Sequence, residues 1–168
     1  VIENTFPIFD HDGDVINDSK SIAKTLKSNT PDSISTDIYK KIKEFVDSTY
    51  HAVYENGIRV DTDRYEEDRL VYLKKGNTIE QVLLANVYKE SELKEVLENK
   101  IEQKGLTAYK SMLLNTFFEL FEVNVRFNEE LTQQRLQEKL EQISPTKGVV
   151  KKGSKIIAKG EIIEEEKY

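Results

Sequence analysis

An α+β domain, predominantly a helical bundle with one β-hairpin and a small C-terminal β-lobe, is the fold class this sequence predicts, and three observations carry it. Apolar residues recur at helical spacing from Ile38 to Tyr54, from Leu93 to Ile101 and from Leu113 to Phe121. Two apolar runs flank the turn dipeptide Gly76-Asn77. Beyond Pro145 the pattern changes to the apolar pairs Val149-Val150, Ile156-Ile157 and Ile162-Ile163, punctuated by Gly148, Gly153 and Gly160.

The first thirty or so residues are polar and irregular, with Pro7, Gly13 and Pro31 as breaks and a short helix expected over Asn17 to Ser28 on Ile22 and Leu26. From Ser35 onward, Ile38, Ile42, Phe45, Val46, Val53 and Tyr54 share one helical face. Asn56-Gly57 ends that helix, because glycine adopts left-handed backbone without strain. Arg69 to Leu73 alternates. Leu70 to Leu73 set against Val82, Leu83, Leu84 and Val87 reads as a hairpin, although Ile79, Val82 and Leu83 also fit a helical period in the second arm, Thr78 to Tyr88. Ser91 opens a helix on Leu93, Val96, Leu97 and Ile101 that ends at Lys104-Gly105, and Thr107 is expected to cap the next. In that next helix Leu113, Leu114, Phe117, Phe118, Leu120 and Phe121 leave little polar surface, so it is expected to be the centre of the core. Asn128 to Ile143 is an amphipathic helix on Leu136, Leu140 and Ile143. The domain organisation that follows is a mainly helical region, 1–143, and a small β-rich segment, 144–168.

Composition excludes several classes. In 168 residues, 25 basic against 31 acidic side chains give a net charge of −6, and no Lys/Arg stripe stands clear of neighbouring carboxylates. Nucleic acid is therefore not an expected partner. Cysteine is absent, which excludes disulfides, thiolate metal sites and a cysteine nucleophile. No apolar run approaches the roughly 18–20 residues of a membrane-spanning helix. The chain begins at Val1 and stops after Glu164-Glu165-Glu166-Lys167-Tyr168, and is expected to be a piece of a longer protein.

The acidic stretch Phe9 to Ser19 admits three chemical readings. As a haloacid-dehalogenase-like loop, Asp10 would be the nucleophile and Asp12 the acid–base. Asp14 then stands where a threonine belongs, no βαβ series follows, and Pro7 argues against a central strand, since proline cannot donate to a ladder. As a calcium loop, Asp10, Asp12 and Asp14 take the first, third and fifth positions. Val15 replaces the turn glycine, however, and Ser21 the bidentate glutamate. As an HD-hydrolase dyad, His11-Asp12 would need several more histidines, and His51 is the only other one. An exposed acidic turn is the simplest account. His51 reads as a boundary residue of its helix, and Ser111 and Ser144 have no base partner. Gly148, Gly153 and Gly160 form no phosphate-binding loop, and the Phe117-Phe118-Leu120-Phe121 cluster reads as core packing. The residues alone give no catalytic, cofactor or metal site, and leave any ligand-binding residues unassigned.

The order of residues in the last third nevertheless carries a resemblance. Asn124-Val125-Arg126-Phe127-Asn128, Thr132 and Arg135 come first. Ile143-Ser144-Pro145-Thr146-Lys147-Gly148-Val149-Val150-Lys151-Lys152-Gly153, Ile156-Ile157, Lys159-Gly160-Glu161-Ile162-Ile163 and Tyr168 follow. Together they resemble the extracellular domain of seven-transmembrane HD hydrolases. Phe127-Asn128 stands where that family has Tyr-Asp, and Ser154 where it has Glu. Upstream, Phe6-Pro7-Ile8 and Tyr54-x-x-Gly57-Ile58 match more loosely.

The resemblance implies a non-catalytic sensory or ligand-binding domain outside a bacterial membrane, without a cofactor. It would signal through a transmembrane helix bundle to a cytoplasmic, metal-dependent HD phosphodiesterase that acts on cyclic di-AMP and lies beyond this chain. Its implied partners are an extracellular ligand or protein and the transmembrane bundle, with homo-oligomerisation open. The terminal β-lobe would be the transmission point. The rival reading is a stand-alone calcium-binding module or phosphatase built on Asp10, Asp12 and Asp14; a third is a structural spacer.

Overall fold

In the computed structural model, which describes residues 5–14, 19–61 and 64–143, the longest helix starts where the apolar period sets in. The Ser35 hydroxyl accepts the Ile38 N–H at 3.4 Å, and helix α2 (Thr36–Asn56) runs until Gly57, at φ 94°, donates its N–H to the Val53 carbonyl. Helix α1 (Ser19–Asn29) precedes it, and α3 (Leu93–Gln103), α4 (Lys110–Leu120) and α5 (Glu129–Gln142) follow. The described residues also form six strands: β1 (Ile8–His11), β2 (Ile58–Arg59), β3 (Leu70–Lys75), β4 (Thr78–Leu83), β5 (Tyr88–Lys89) and β6 (Val125–Phe127). Phe6–Glu129 form one compact unit, which holds the sheet and α1–α4; from Glu130 onward the chain belongs to a second.

The strands make one mixed sheet in the order β4-β3-β1-β6-β2-β5. β3 and β4 form the hairpin expected around Gly76-Asn77, pairing Leu70 with Leu83 through to Lys75 with Thr78. The second arm is therefore a strand from Thr78 to Leu83, and a 3₁₀ turn (Leu84–Asn86) takes over after it. β1 runs parallel to β3 and antiparallel to β6, while β2 is parallel to both β6 and β5.

β1 corrects the expectation of an irregular N-terminal segment. Pro7 stands immediately before the strand, so its missing N–H costs the ladder nothing, and its carbonyl accepts the Tyr72 N–H at 2.8 Å. A central strand here is thus compatible with the proline that argued against it. β6 is a second strand that the sequence pattern did not announce.

Two apolar clusters hold this unit together. Ile22, Leu26, Ile42, Val46, Val53, Leu97, Ile101, Leu113 and Phe117 interlock the helices and reach Ile58 on the sheet. Phe9, Val71, Leu73, Leu84, Val87 and Val125 form the second, on the sheet, with Tyr65 and Phe127 packed against it. The two residues of β2 divide between these environments as strand alternation requires. Ile58 enters the helical cluster, and Arg59 projects the other way.

Helix α4 is more one-sided than its composition suggests. Leu113 and Phe117 are fully buried, but Phe118 is 48% exposed and Phe121 is half-buried. Thr107 does not cap it; a 3₁₀ turn (Thr107–Tyr109) leads in without a side-chain cap. In α5, Gln134 donates to Glu138 at 3.0 Å and Gln137 to Glu141 at 3.1 Å. Leu140 and Ile143 are exposed and no residue of α5 is buried, so the apolar stripe expected there is not a core face of its own unit. The C-terminal β-lobe expected over 144–168 lies outside the described residues.

Candidate functional site

β2 stops after Arg59, whereas β6 continues two residues beyond its one pairing with it, Arg59 to Val125. That mismatch opens a cleft of about 430 Å³ on the sheet. The hydrogen-bonding pattern of β6 shows what the cleft meets. Asn128 donates to Ile8 O and Asp12 to Asn124 O, so alternation pairs Arg126 with Asp10 in the β1 ladder. The N–H and C=O of Phe127 then turn away from β1, toward the side that β2 has vacated.

One wall of the cleft is aromatic. Phe9, Tyr65 and Phe127 stand in a triangle of tilted and edge-to-face contacts with centroid separations of 5.4 to 6.4 Å. Such contacts contribute roughly 0.5–1.5 kcal/mol each beyond area burial. Arg64 lays its guanidinium 4.6 Å over the Phe127 ring, and Arg69 sits 5.3 Å over Tyr65. Val60 and Asp61, directly after β2, line the opposite rim.

Arg59 is the unusual member of this wall. It is only 1% exposed, and a buried cation is costly unless paired and hydrogen-bonded. Its Nη2 donates to both Glu67 carboxylate oxygens, at 2.8 and 2.7 Å, and its Nε donates to Val87 O at 3.3 Å. Its Nη1 is buried and has no hydrogen-bond partner. Glu67 does not serve Arg59 alone, because Lys89 Nζ lies 3.0 Å from the same carboxylate. Partial burial pushes the Glu67 carboxyl up, but the hydrogen bonds and charges of Arg59 and Lys89 outweigh that and hold it below the usual carboxylate range.

A second polar cluster joins α2 to the sheet. His11, in β1, is buried and its Nε2 lies 2.7 Å from Tyr54 O. A carbonyl only accepts, so Nε2 carries a proton, and Nδ1 is buried without a hydrogen-bond partner. Asn124 Oδ1 accepts the Ile58 N–H at 2.7 Å while its Nδ2 donates to Tyr54 O at 3.1 Å. This cluster is a tie between elements.

The residues singled out from the sequence lie elsewhere. Asp10 is inside β1, where Asn128 Nδ2 donates to its Oδ2 at 2.6 Å. Asp12 Oδ1 accepts the Asp14 N–H at 3.0 Å in a local turn. The calcium reading needs a loop through Asp10; extended strand runs there instead. Among the described residues no group of three or more His, Asp or Glu side chains is placed to hold a metal ion. His51 is exposed on α2 with its ring against Tyr50, and Ser111 is exposed at the start of α4. Phe117 and Phe121 stack at 5.4 Å within the helical cluster. Ser144, Gly148, Gly153 and Gly160 lie outside the described residues. A larger depression between α2 and α3, about 510 Å³, has no buried charged side chain.

Sequence reasoning passed over Arg59, Arg64 and Tyr65. The signal that marks Arg59 is its place in Gly57-Ile58-Arg59-Val60, a single cation among β-branched residues just after a helix stop.

The family model 7TMR-HDED, described as 7TM-HD extracellular, matches residues 9–168. No match was found among curated proteins or solved structures. Among the described residues no helix is long and apolar enough to cross a membrane. With the match spanning nearly the whole chain, the chain belongs to the family of extracellular domains of seven-transmembrane HD proteins.

Proposed function

We propose that this domain is the ligand-sensing module of a bacterial membrane-bound HD phosphodiesterase, and that the cleft beside β6 receives the signal. The hydrolase it governs is the cytoplasmic part of the parent protein and acts on cyclic di-AMP. The observation that carries the reading is Arg59: a charged side chain withdrawn from water into a cleft wall, with one nitrogen left unpaired. Such a group is a standing cost to the fold, and ligand sites are where proteins keep polar groups of that kind.

Sensing requires that the ligand bind two states of the parent protein with different affinity, since equal affinity shifts nothing. Typical coupling between sites is about 1–3 kcal/mol, or roughly 5- to 150-fold. The test compares the full-length protein in lipid nanodiscs with a version whose extracellular domain is replaced by a Gly/Ser linker, both assayed for cyclic di-AMP hydrolysis. A change in rate within that range is the expected result. Equal rates would reduce the domain to a spacer, and absence of hydrolysis in both would remove the substrate assignment.

A further inference from the structure

We propose that two copies of this domain pair through their β4 edges, antiparallel about a two-fold axis at Gln81, and so join their sheets into one. β4 ends the sheet, with β3 and β1 between it and β6, so this surface is separate from the cleft.

The register follows from which main-chain groups of β4 are open. Arg69 O accepts the Leu84 N–H at 2.9 Å, and the ladder then runs without a bulge from Leu70 opposite Leu83 to Lys75 opposite Thr78. Bonded and non-bonded pairs alternate along an antiparallel ladder, so Val82, Glu80 and Thr78 direct their N–H and C=O to β3. Those of Ile79, Gln81 and Leu83 point away from it, and among the described residues no strand pairs with that edge. An axis at Gln81 sets Gln81 against the partner's Gln81 and Ile79 against the partner's Leu83. All three outward residues then meet one another and exchange both main-chain bonds at each pair. An axis at Glu80 leaves Leu83 unmatched and puts two carboxylates directly opposite, which is destabilising. An axis at Val82 sets Ile79 against Ala85, whose N–H is already donated to Glu67 O at 2.9 Å.

The side chains favour the same arrangement. Val82 packs with Val71 and Leu73 on one face of the hairpin, whereas Ile79 and Leu83 are exposed on the other, with Leu70 exposed directly opposite Leu83. In the dimer, Leu70, Leu83 and the partner's Ile79 form one row, and the axis repeats it, so apolar side chains that stand in water in one copy cover each other in two. Exposed edges are commonly guarded by lysine, proline or a bulge; β4, Thr-Ile-Glu-Gln-Val-Leu, has none of these. Its one charged residue, Glu80, lies on the other face and is answered by Lys75 at 3.3 Å. Pairing of two such short strands falls at the low end of interface sizes, below about 1,200 Å², where association is weak. Confinement of two parent proteins to one membrane raises their effective concentration.

The test is sedimentation velocity of the 168-residue chain from about 10 μM to 1 mM, over which a shift from monomer to dimer is expected. Gln81→Lys and Gln81→Glu change an exposed side chain whose main chain does not bond β3. Each sets like charges face to face and is expected to associate at least about tenfold more weakly than the wild type. Mixed in equal amounts, the two variants are expected to associate at least as tightly as the wild type, because a lysine then faces a glutamate. Amide hydrogen exchange at Ile79, Gln81 and Leu83 is expected to slow as protein concentration rises. A dimer that Gln81→Lys leaves intact overturns the proposal by placing the contact elsewhere, and a mixture that stays monomeric overturns the register. A wild type that is monomeric at 1 mM overturns the self-pairing. Slow exchange at the three amides in that monomer would assign the edge to residues 144–168 of the same chain, and fast exchange would leave it open to a strand of another protein.

Discussion

Gly57 and Asn124 do at single positions what the short strands cannot do alone. Gly57 ends α2 at φ 94° and ψ 151°, a backbone region essentially reserved for glycine, and its carbonyl accepts the Tyr88 N–H at 2.9 Å. A Cβ there would collide with Val125 Cγ2 and crowd His11 Cδ2 at 3.3 Å. Gly57→Ala therefore combines backbone strain of about 1–3 kcal/mol with overpacking of about 1–3 kcal/mol. Urea unfolding is expected to show a loss of several kcal/mol with an unchanged slope. Asn124 is 2% exposed and ties β2, β6 and the end of α2 together through its side chain. Asn124→Ala strands the Ile58 N–H in the core and removes one donor to Tyr54 O, for an expected loss of about 2–4 kcal/mol. The glycine was legible in the sequence, because Asn-Gly after a periodic apolar stretch is a helix stop. The asparagine was not. Its partners lie 66 and 70 residues away, and nothing local marks a side chain whose bonds are all long-range. Arg59 was hidden for another reason: its carboxylate partner Glu67 lies only eight residues on, but no helical or strand period links the two, and only the folded sheet makes the unpaired nitrogen visible.

Long helices announce themselves by period and short strands do not, and the element scale shows the consequence. α2 and α3 and the β3–β4 hairpin were readable from their apolar spacing and turn residues. β1, β2, β5 and β6 have four, two, two and three residues, too few for alternation to register. They are strands because neighbours far along the chain satisfy their backbone groups, which is why a six-stranded sheet replaces the single hairpin expected. The helix α4 shows the opposite error: its apolar density was legible, but not which face is buried. Phe117 is fully enclosed against Phe45 at 6.0 Å between ring centroids, whereas Phe118 is half in solvent. Phe117→Ala is expected to cost about 3–5 kcal/mol and Phe118→Ala no more than about 0.5 kcal/mol, read as midpoint shifts in the same urea experiment. Equal losses would return α4 to the centre of the core on both faces.

Across the whole molecule, the acidic balance of −6 makes the pairing of its few inward-facing cations decisive for stability against pH. Glu67 is held below the ordinary glutamate value of 4.5 after burial is overcome by Arg59 and Lys89, and Glu55 is held below it by its hydrogen bond and attraction to Lys75. A depressed carboxyl stabilises the fold above its unfolded pKa, and that contribution disappears as pH falls through the folded value. The acid limb therefore begins near pH 4.5 and extends below it. Lys75 supplies the alkaline limb. Partial burial lowers its ammonium, but the hydrogen bonds it donates to the Glu55 and Glu80 carboxylates, with their charges, carry it above 10.5. A raised lysine stabilises fully below its unfolded pKa and loses that contribution as pH rises through the folded value. Between the two limbs the melting temperature is expected to be nearly flat. Glu67→Gln separates the roles of this network. It removes the acid-limb contribution of the Arg59 pair, so the melting temperature of the variant should fall less than the wild type's between pH 5 and pH 3, about the range in which paired carboxylates are lost. At pH 7 it should be lower by the equivalent of about 1–3 kcal/mol, because the Arg59 charge stays buried beside an uncharged amide. A variant that is less stable at pH 7 and flatter in acid is what a buried cation that shares its one carboxylate with Lys89 requires.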